Sequence, residues 1–338
     1  SPAVWSKPNV SFKFQSFWLS DPSFPRVVQQ VWSQGSHLQG AISKFSRDAS
    51  EWNKVHFGNI FAKKRRIMAR LNGTQRSLAI RPSHNLVILE SQLQADLACV
   101  LSQEEELWDL KSRVNWMMFG DRNTSFYHIS TLVRRKRNTI SAIMSNTGEW
   151  VHDESEVKEV IRNGFAKLYS TSLCSAPCLI QSDNTWHACI TDEDWDNLDA
   201  EVTEEEIRAG LWSLKAFKAP GPDGLHAGFF QRFWLVVGRS VMEEVKKVFM
   251  LKEVPEFLNS TLISLIPKIP GPETLNNYRP ISLCNTVYKI VSKVIVARLR
   301  PLLDQVISPL QTAFIPGRRG TDNAILVQEL IHSVSRKK

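Results

Sequence analysis

Apolar side chains recur at two different periods along this chain, and the changes of period mark its elements. Val10, Phe12 and Phe14 alternate with polar residues ahead of Phe17-Trp18-Leu19, Pro22 and Pro25. That pattern predicts extended chain with one buried face over residues 1–30. From Val31 to Ala79 the spacing is helical, with Trp32, Leu38, Ile42, Phe45 and Trp52 as buried positions. Leu86, Leu89, Leu93, Leu97 and Val100 fall at steps of three and four. They predict a long helix continuing through Leu107, Trp108 and Val114, until Gly120-Asp-Arg-Asn123 breaks or kinks it. Ile140, Ala142 and Met144 alternate up to Asn146-Thr-Gly148, and Trp150 and Val151 begin a return, so a hairpin is expected. A short helix spans Glu154 to Leu168, and residues 171–200 read as an irregular acidic linker.

The second half opens on Thr203-Glu-Glu-Glu206, a capping box, with Ile207, Leu211 and Leu214 as the apolar stripe behind it. Pro220-Gly-Pro-Asp-Gly224 predicts a turn, Phe229 to Phe249 an amphipathic helix, and Leu262 to Ile266 a strand ended by Pro267. A helix from Ser282 to Leu299 carries Leu283, Val287, Ile290, Val291, Val294 and Ile295 on one side. Lys289, Lys293 and Arg300 project from the other. No repeat of fixed period is visible.

Charge sharpens this outline. The net charge of +8 divides into +10 over residues 1–140, −12 over 141–206 and +10 over 207–338. Two basic segments thus flank an acidic connector, which favours a polyanionic partner, with an ordinary solvated surface as the alternative. Basic residues cluster at Lys63, Lys64, Arg65 and Arg66, with Arg70 beyond, and again at Arg134, Arg135, Lys136 and Arg137. Both clusters fall on expected helices and are candidates for nucleic-acid contact. Eleven tryptophans argue for packed cores or stacking surfaces. No apolar run approaches a membrane span, and the first residues lack the features of a signal peptide. Five cysteines without regular spacing suit a reducing compartment, and Cys174, Cys178, His187 and Cys189 match no standard zinc finger.

Phosphoryl transfer onto a growing polynucleotide needs carboxylates that hold divalent metals and cations that neutralise a triphosphate. Cations are present: Lys268 follows the strand 262–266, and Arg279 stands in an expected loop after Pro270-Gly-Pro272. An extended pair would bring both over one triphosphate; a solvated Lys268 and an Arg279 that pins its own loop are the alternative. Gly221 and Gly224, flanked by Lys215 and Lys218, form a turn suited to lie on a nucleic-acid backbone. Gly317, Arg318, Arg319 and Gly320 would let the backbone approach a phosphate while both arginine forks engage it. The metal-holding carboxylates have no candidate. No Asp-Asp pair occurs, and Asp192, Glu193, Asp194 and Asp196 read as a solvated helix start. The expected catalytic and metal-binding set is therefore empty.

The order and spacing of Lys218-Ala-Pro-Gly-Pro-Asp-Gly224, Leu265-Ile-Pro-Lys268, Asn277-Tyr-Arg-Pro-Ile-Ser-Leu283 and Gln311-Thr-Ala-Phe-Ile-Pro-Gly-Arg-Arg-Gly-Thr-Asp-Asn323 resemble the fingers of a reverse transcriptase from a LINE-type (non-LTR) retrotransposon. Lys111-Ser-Arg-Val-Asn-Trp116, Gly120-Asp-Arg-Asn-Thr-Ser-Phe-Tyr-His128 and Asn146-Thr-Gly-Glu-Trp150 look like the endonuclease–polymerase connector of the plant members. Phe12-Lys-Phe-Gln-Ser-Phe-Trp18 resembles the last strand of the preceding endonuclease.

This resemblance implies a truncated α+β chain: a mainly helical basic connector followed by the fingers and early palm of a right-hand polymerase. It implies four segments: an endonuclease remnant over 1–30, the connector over 31–139, a hairpin, helix and acidic linker over 140–200, and incomplete fingers and early palm over 201–338. It assigns Lys268 and Arg279 to the incoming dNTP, and the basic residues named above, including Lys289 and Lys293, to nucleic acid. RNA template and DNA primer or target are the implied partners, with Mg2+ required by the intact polymerase, and no membrane or protein partner is implied. The location it implies is the nucleus after cytoplasmic synthesis, without secretion. Because the palm aspartates would follow Lys338, this chain alone is expected to be inactive. A stand-alone nucleic-acid-binding protein, or a retroelement remnant without function, is the alternative. Phe314, Ile315 and the helix 282–299 are expected to expose apolar surface that palm strands would cover.

Overall fold

The computed structural model describes residues 12–33, 35, 37–112, 124–145, 147–170, 190–308 and 311–336. In chain order the first helices are α1 (Phe24–Trp32), α2 (Leu38–His56), α3 (Ile60–Ile80), α4 (His84–Ser112) and α5 (Thr124–Asn138). The hairpin β1 (Ile143–Met144) and β2 (Trp150–Val151) follows, then α6 (Glu154–Tyr169), α7 (Asp192–Asp199), α8 (Glu204–Trp212) and α9 (Ala227–Arg232). The rest comprises α10 (Trp234–Leu251), α11 (Glu256–Asn259), β3 (Thr261–Pro267), β4 (Tyr278–Cys284), α12 (Thr286–Leu299), α13 (Leu303–Val306) and α14 (Gly320–Arg336). The expected breaks at Gly120–Asn123, the residues Val10 and Val114, and the cysteines 174, 178 and 189 lie outside the described residues.

These elements form two compact units interleaved in sequence. The first comprises Ser1–Ser170, Lys215–Val241 and Pro255–Thr286; the second comprises Thr171–Leu214, Met242–Val254 and Val287–Lys338.

The first unit has an aromatic core. Phe14, Phe24, Phe45 and Phe229 are fully buried, with ring centroids 4.8 Å apart for Phe45–Phe229 and 5.3 Å for Phe14–Phe229. The indole N–H groups of Trp18, Trp32 and Trp52 donate to Asn53, Ser240 and Ser23, so these large rings are buried without orphaning a donor. Burial of this cluster, rather than strand pairing, organises residues 12–32. Residues 12–15 are extended, but Ser16–Ser20 is a 3-10 turn and α1 follows, where alternation predicted a strand. Pro25 falls in the first turn of α1, the position where a missing N–H costs a helix nothing.

α3 and α4 pack as an antiparallel pair that buries Ile67, Thr74, Leu93, Val100 and Leu107. Lys64 reaches Glu104 at 2.7 Å and Gln75 reaches Glu90 at 2.9 Å along the same seam. The hairpin pairs Ile143 with Val151 and Met144 with Trp150.

β3 and β4 form an antiparallel ribbon from Thr261↔Cys284 to Pro267↔Tyr278. Lys268 N–H donates to Asn277 O at 2.7 Å, so that pair is hydrogen-bonded. Alternation along the ladder then puts Leu265↔Pro280 and Pro267↔Tyr278 at non-hydrogen-bonded sites, where proline removes no ladder bond. This register overturns two expectations. Residues 282–284 belong to β4 rather than to a helix, and Arg279 stands in a strand rather than a loop. The expected helix 229–249 is likewise two helices, with Phe233 between them.

In the second unit α8 starts at a capping box: Thr203 Oγ1 accepts from Glu206 N–H, and the Glu206 carboxylate accepts from Thr203 N–H. Ile207 and Leu211 are buried, as are Val245, Val248, Ile290, Val291 and Val294. A Cβ at Gly210 would meet Ile290 at 3.4 Å, so glycine permits the close pass of α8 over α12. Arg298 ties the start of α8 down, with bonds of 2.7 and 2.8 Å to the Glu206 carboxylate. Its remaining N–H groups donate to the carbonyls of Leu198, Ala200 and Glu201. Asp192, Glu193 and Asp194 lie in the first turn of α7 behind a capping box from Thr191, the helix start the sequence suggests. α14 buries none of its residues. Phe314 is 100% exposed, whereas Ile315 is buried.

Candidate nucleic-acid interface

Register decides where Lys268 and Arg279 lie. Arg279 is opposite Ile266, and Lys268 is two residues further along the same strand direction. Side chains two apart, and those directly opposite, share a face of a ribbon, so Lys268 and Arg279 are diagonal neighbours with backbones about 7–8 Å apart. That face also carries Leu262, Ser264, Ile266 and Ile281, all exposed, whereas Pro267 and Tyr278 on the opposite face are buried. The ribbon is therefore anchored at its Pro267–Tyr278 end, while Ile263 and Ser282 further along the same face are exposed, and the two cations lie outward. Burial raises the Tyr278 pKa, keeping the phenol neutral where it anchors the ribbon.

The connection at the ribbon end is built by Asn277. Its Oδ1 accepts from the Glu273 and Thr274 N–H groups at 3.2 and 3.0 Å. Gly271 turns the chain at a φ of 65°. Lys268 Nζ donates to Asn276 O at 2.7 Å, which leaves further ammonium hydrogens for a ligand.

The Pro220–Gly224 turn differs from its expected form. Gly221 and Gly224 are buried, not open to a ligand. A Cβ at Gly221 would stand 2.4 Å from Asn285 Oδ1, and one at Gly224 would stand 2.1 Å from Phe12 O. Asp223 N–H donates to Asn285 Oδ1, Gly224 N–H to Gly221 O, and Leu225 N–H to Asp223 Oδ1. Close chain packing explains both glycines, and these three amides are already satisfied. Only the flanking Lys215 and Lys218 are exposed.

A similar division runs through the basic clusters. Lys64 is spent on Glu104, while Lys63, Arg65 and Arg66 are exposed. Arg134 donates to the carbonyls of Ser112 and Lys111 at the end of α4, while Arg135, Lys136 and Arg137 are exposed. Arg318 pairs with Asp304 at 3.1 Å and donates to the carbonyls of Ser308, Gln311 and Ile307. Arg319 is exposed, so the paired forks expected of Arg318 and Arg319 reduce to one outward guanidinium. Gly317 takes a φ of 82°, and neither it nor Gly320 has a neighbour within 4 Å of a built Cβ. Lys289 and Lys293 are half-buried on α12.

Nothing in the residue pattern singles out His226. It is 3% exposed, both ring nitrogens lack hydrogen-bond partners, and its ring lies 5.1 Å from Phe14 and 5.0 Å from Phe217. Burial depresses its pKa to about 4, so the ring is neutral at ordinary pH. Among the described residues, no group of three or more His, Cys, Asp or Glu side chains is arranged to hold a metal ion. No described helix is long and apolar enough to cross a membrane.

No protein-family profile matches the chain. A protein of Xenopus laevis, "Transposon TX1 uncharacterized 149 kDa protein", is 28% identical over 344 residues, covering 96% of this chain. The chain spans about a quarter of that relative, 26% of its length. The similarity to this transposon protein runs across nearly the whole chain.

Proposed function

We propose that this chain is the nucleic-acid- and nucleotide-binding part of a retrotransposon RNA-directed DNA polymerase, of the plant LINE type, with the catalytic aspartates absent from its 338 residues. The observation that carries the reading is the shared outward face of Lys268 and Arg279 on one ribbon. A guanidinium fork and a point-charge ammonium at that spacing suit a triphosphate better than a lone cation does. The exposed cations Lys63, Arg65, Arg66, Arg135, Lys136, Arg137, Lys215, Lys218 and Arg319 supply backbone contacts to RNA template and DNA primer or target. Such a protein works in the nucleus after cytoplasmic synthesis, and magnesium belongs to the intact polymerase.

Two assays test this. Affinity for an RNA oligonucleotide falls steeply between low and moderate salt, because each neutralised phosphate releases counterions; a flat response refutes the polyanion surface. Primer extension on an RNA template with magnesium yields no incorporation by the isolated chain. Incorporation would contradict the absence of a catalytic carboxylate set.

A further inference from the structure

A second aromatic cluster differs from the core. Phe61 of α3, Trp108 of α4 and His128 of α5 meet where three helices converge, with centroids 6.1 Å apart for Phe61–Trp108 and 4.5 Å for Trp108–His128. Lys111 Nζ stands 4.9 Å from the Trp108 ring centroid. The core rings Phe14, Phe24, Phe45 and Phe229 are buried, but Phe61 is 39% exposed, His128 is exposed and Trp108, like Trp32 and Trp52, is half-buried. Trp18, Trp32 and Trp52 each donate their indole N–H to a side chain, whereas Trp108 has no such partner among the described residues. A cluster that only glued helices together would gain from burying these faces.

The surrounding charge is the second observation. Lys111 feels its protein surroundings and the like charges of Arg135 and Lys13, all of which hold its pKa below the usual lysine value. Of the acids nearby, Glu104 is paired with Lys64. Arg134 fixes the end of α4 to α5 and so holds Arg135 beside Lys111. A cation over half-open rings complements an anionic chain that carries flat π-faces.

We propose that Trp108, flanked by Phe61 and His128 and capped by Lys111, is a stacking platform for unpaired bases of a single-stranded polynucleotide, whose phosphates run along Lys13, Lys111 and Arg135. The platform rests on the reading of the chain as nucleic-acid-binding and adds the strand type and the bases' seat. It lies on α3–α5 and recognises the strand by stacking rather than by base-edge hydrogen bonds.

Fluorescence anisotropy on the full chain tests it, with labelled single-stranded RNA, DNA of the same sequence, and an abasic strand of equal length and charge. Wild type binds the base-bearing strands more tightly than the abasic one. Trp108→Ala weakens the base-bearing strand roughly 5- to 100-fold and leaves abasic binding unchanged, while Trp108→Phe retains most of the preference. Lys111→Gln flattens the slope of log affinity against log salt by about 0.7 for one lost phosphate contact. Should Trp108→Ala fail to fold, the exposed His128→Ala carries the same comparison with a smaller loss. Preference for RNA over DNA identifies an RNA strand, and equal affinity identifies a single strand of either kind; both support the platform. Equal wild-type affinity for base-bearing and abasic strands overturns it while leaving the nucleic-acid reading intact, as does a base preference unmoved by Trp108→Ala and His128→Ala. No binding to any strand at low salt overturns both.

Discussion

His226 makes stability depend on pH in a way that one substitution removes. Its imidazole is enclosed by Phe14 and Phe217 and finds no acceptor or donor, so charging it inside the fold is costly. The folded pKa near 4 lies below the ordinary value of 6.5. Between those values the unfolded chain binds more protons than the folded one, and stability falls as pH falls through that window. Each pH unit within it costs about 1.4 kcal/mol, so acidification from pH 7 to pH 5 removes roughly 2 kcal/mol through this residue. His226→Phe keeps a flat ring in an aromatic seat and removes both orphaned nitrogens, which is neutral or mildly stabilising at pH 7. Urea unfolding followed by near-ultraviolet circular dichroism at pH 7, 6 and 5 reads the difference between the two proteins. Other titrating groups contribute equally to both and cancel. The variant loses roughly 2 kcal/mol less than wild type over this range; equal losses would refute the neutral buried imidazole.

Three further outcomes follow from named contacts. Arg318→Ala speeds hydrogen exchange across residues 304–318 because four internal partners lose their donor, whereas Arg319→Ala leaves exchange unchanged and weakens RNA binding. Glu206→Gln breaks the fork with Arg298 and lowers stability by about 1–2 kcal/mol. Arg298 depresses the Glu206 pKa, so in wild type this contribution is present above about pH 4.5 and is lost on further acidification, a loss absent from the variant's urea titration. Gly224→Ala combines a φ of 72° with a Cβ 2.1 Å from Phe12 O, and lowers the melting temperature by several degrees in a thermal scan.

Features set by local chemistry were legible in the sequence: the capping box at Thr203, the β1–β2 hairpin around Gly148, and the long stripe of α4. What failed was decided by distant partners. Residues 12–32 alternate like a strand, yet Phe14, Phe24 and Trp18 are claimed by an aromatic core completed some 200 residues later by Phe229 and Phe233. Ser282–Cys284 continue a helical-looking stripe, but pairing with Thr261–Ile263 draws them into the ribbon. Among candidate site residues, the sequence singles out the ribbon cations and the basic clusters. It had no means of dividing each cluster into a cation spent internally and others turned outward, because Glu104, Asp304 and the carbonyls at the end of α4 are 10 to 40 residues away. Gly221 and Gly224 read as ligand-facing for the same reason: their neighbours Asn285 and Phe12 are remote in sequence.

The most direct measurement is a double-mutant cycle on triphosphate binding, titrating a fluorescent deoxynucleoside triphosphate into wild type, Lys268→Ala, Arg279→Ala and the double variant. If the two side chains grip one triphosphate from one face, each single change weakens binding roughly tenfold or more and the double change costs less than the sum. Saturable binding unaffected by either substitution, or no saturable binding by wild type, would contradict the assignment of the ribbon face to a nucleotide.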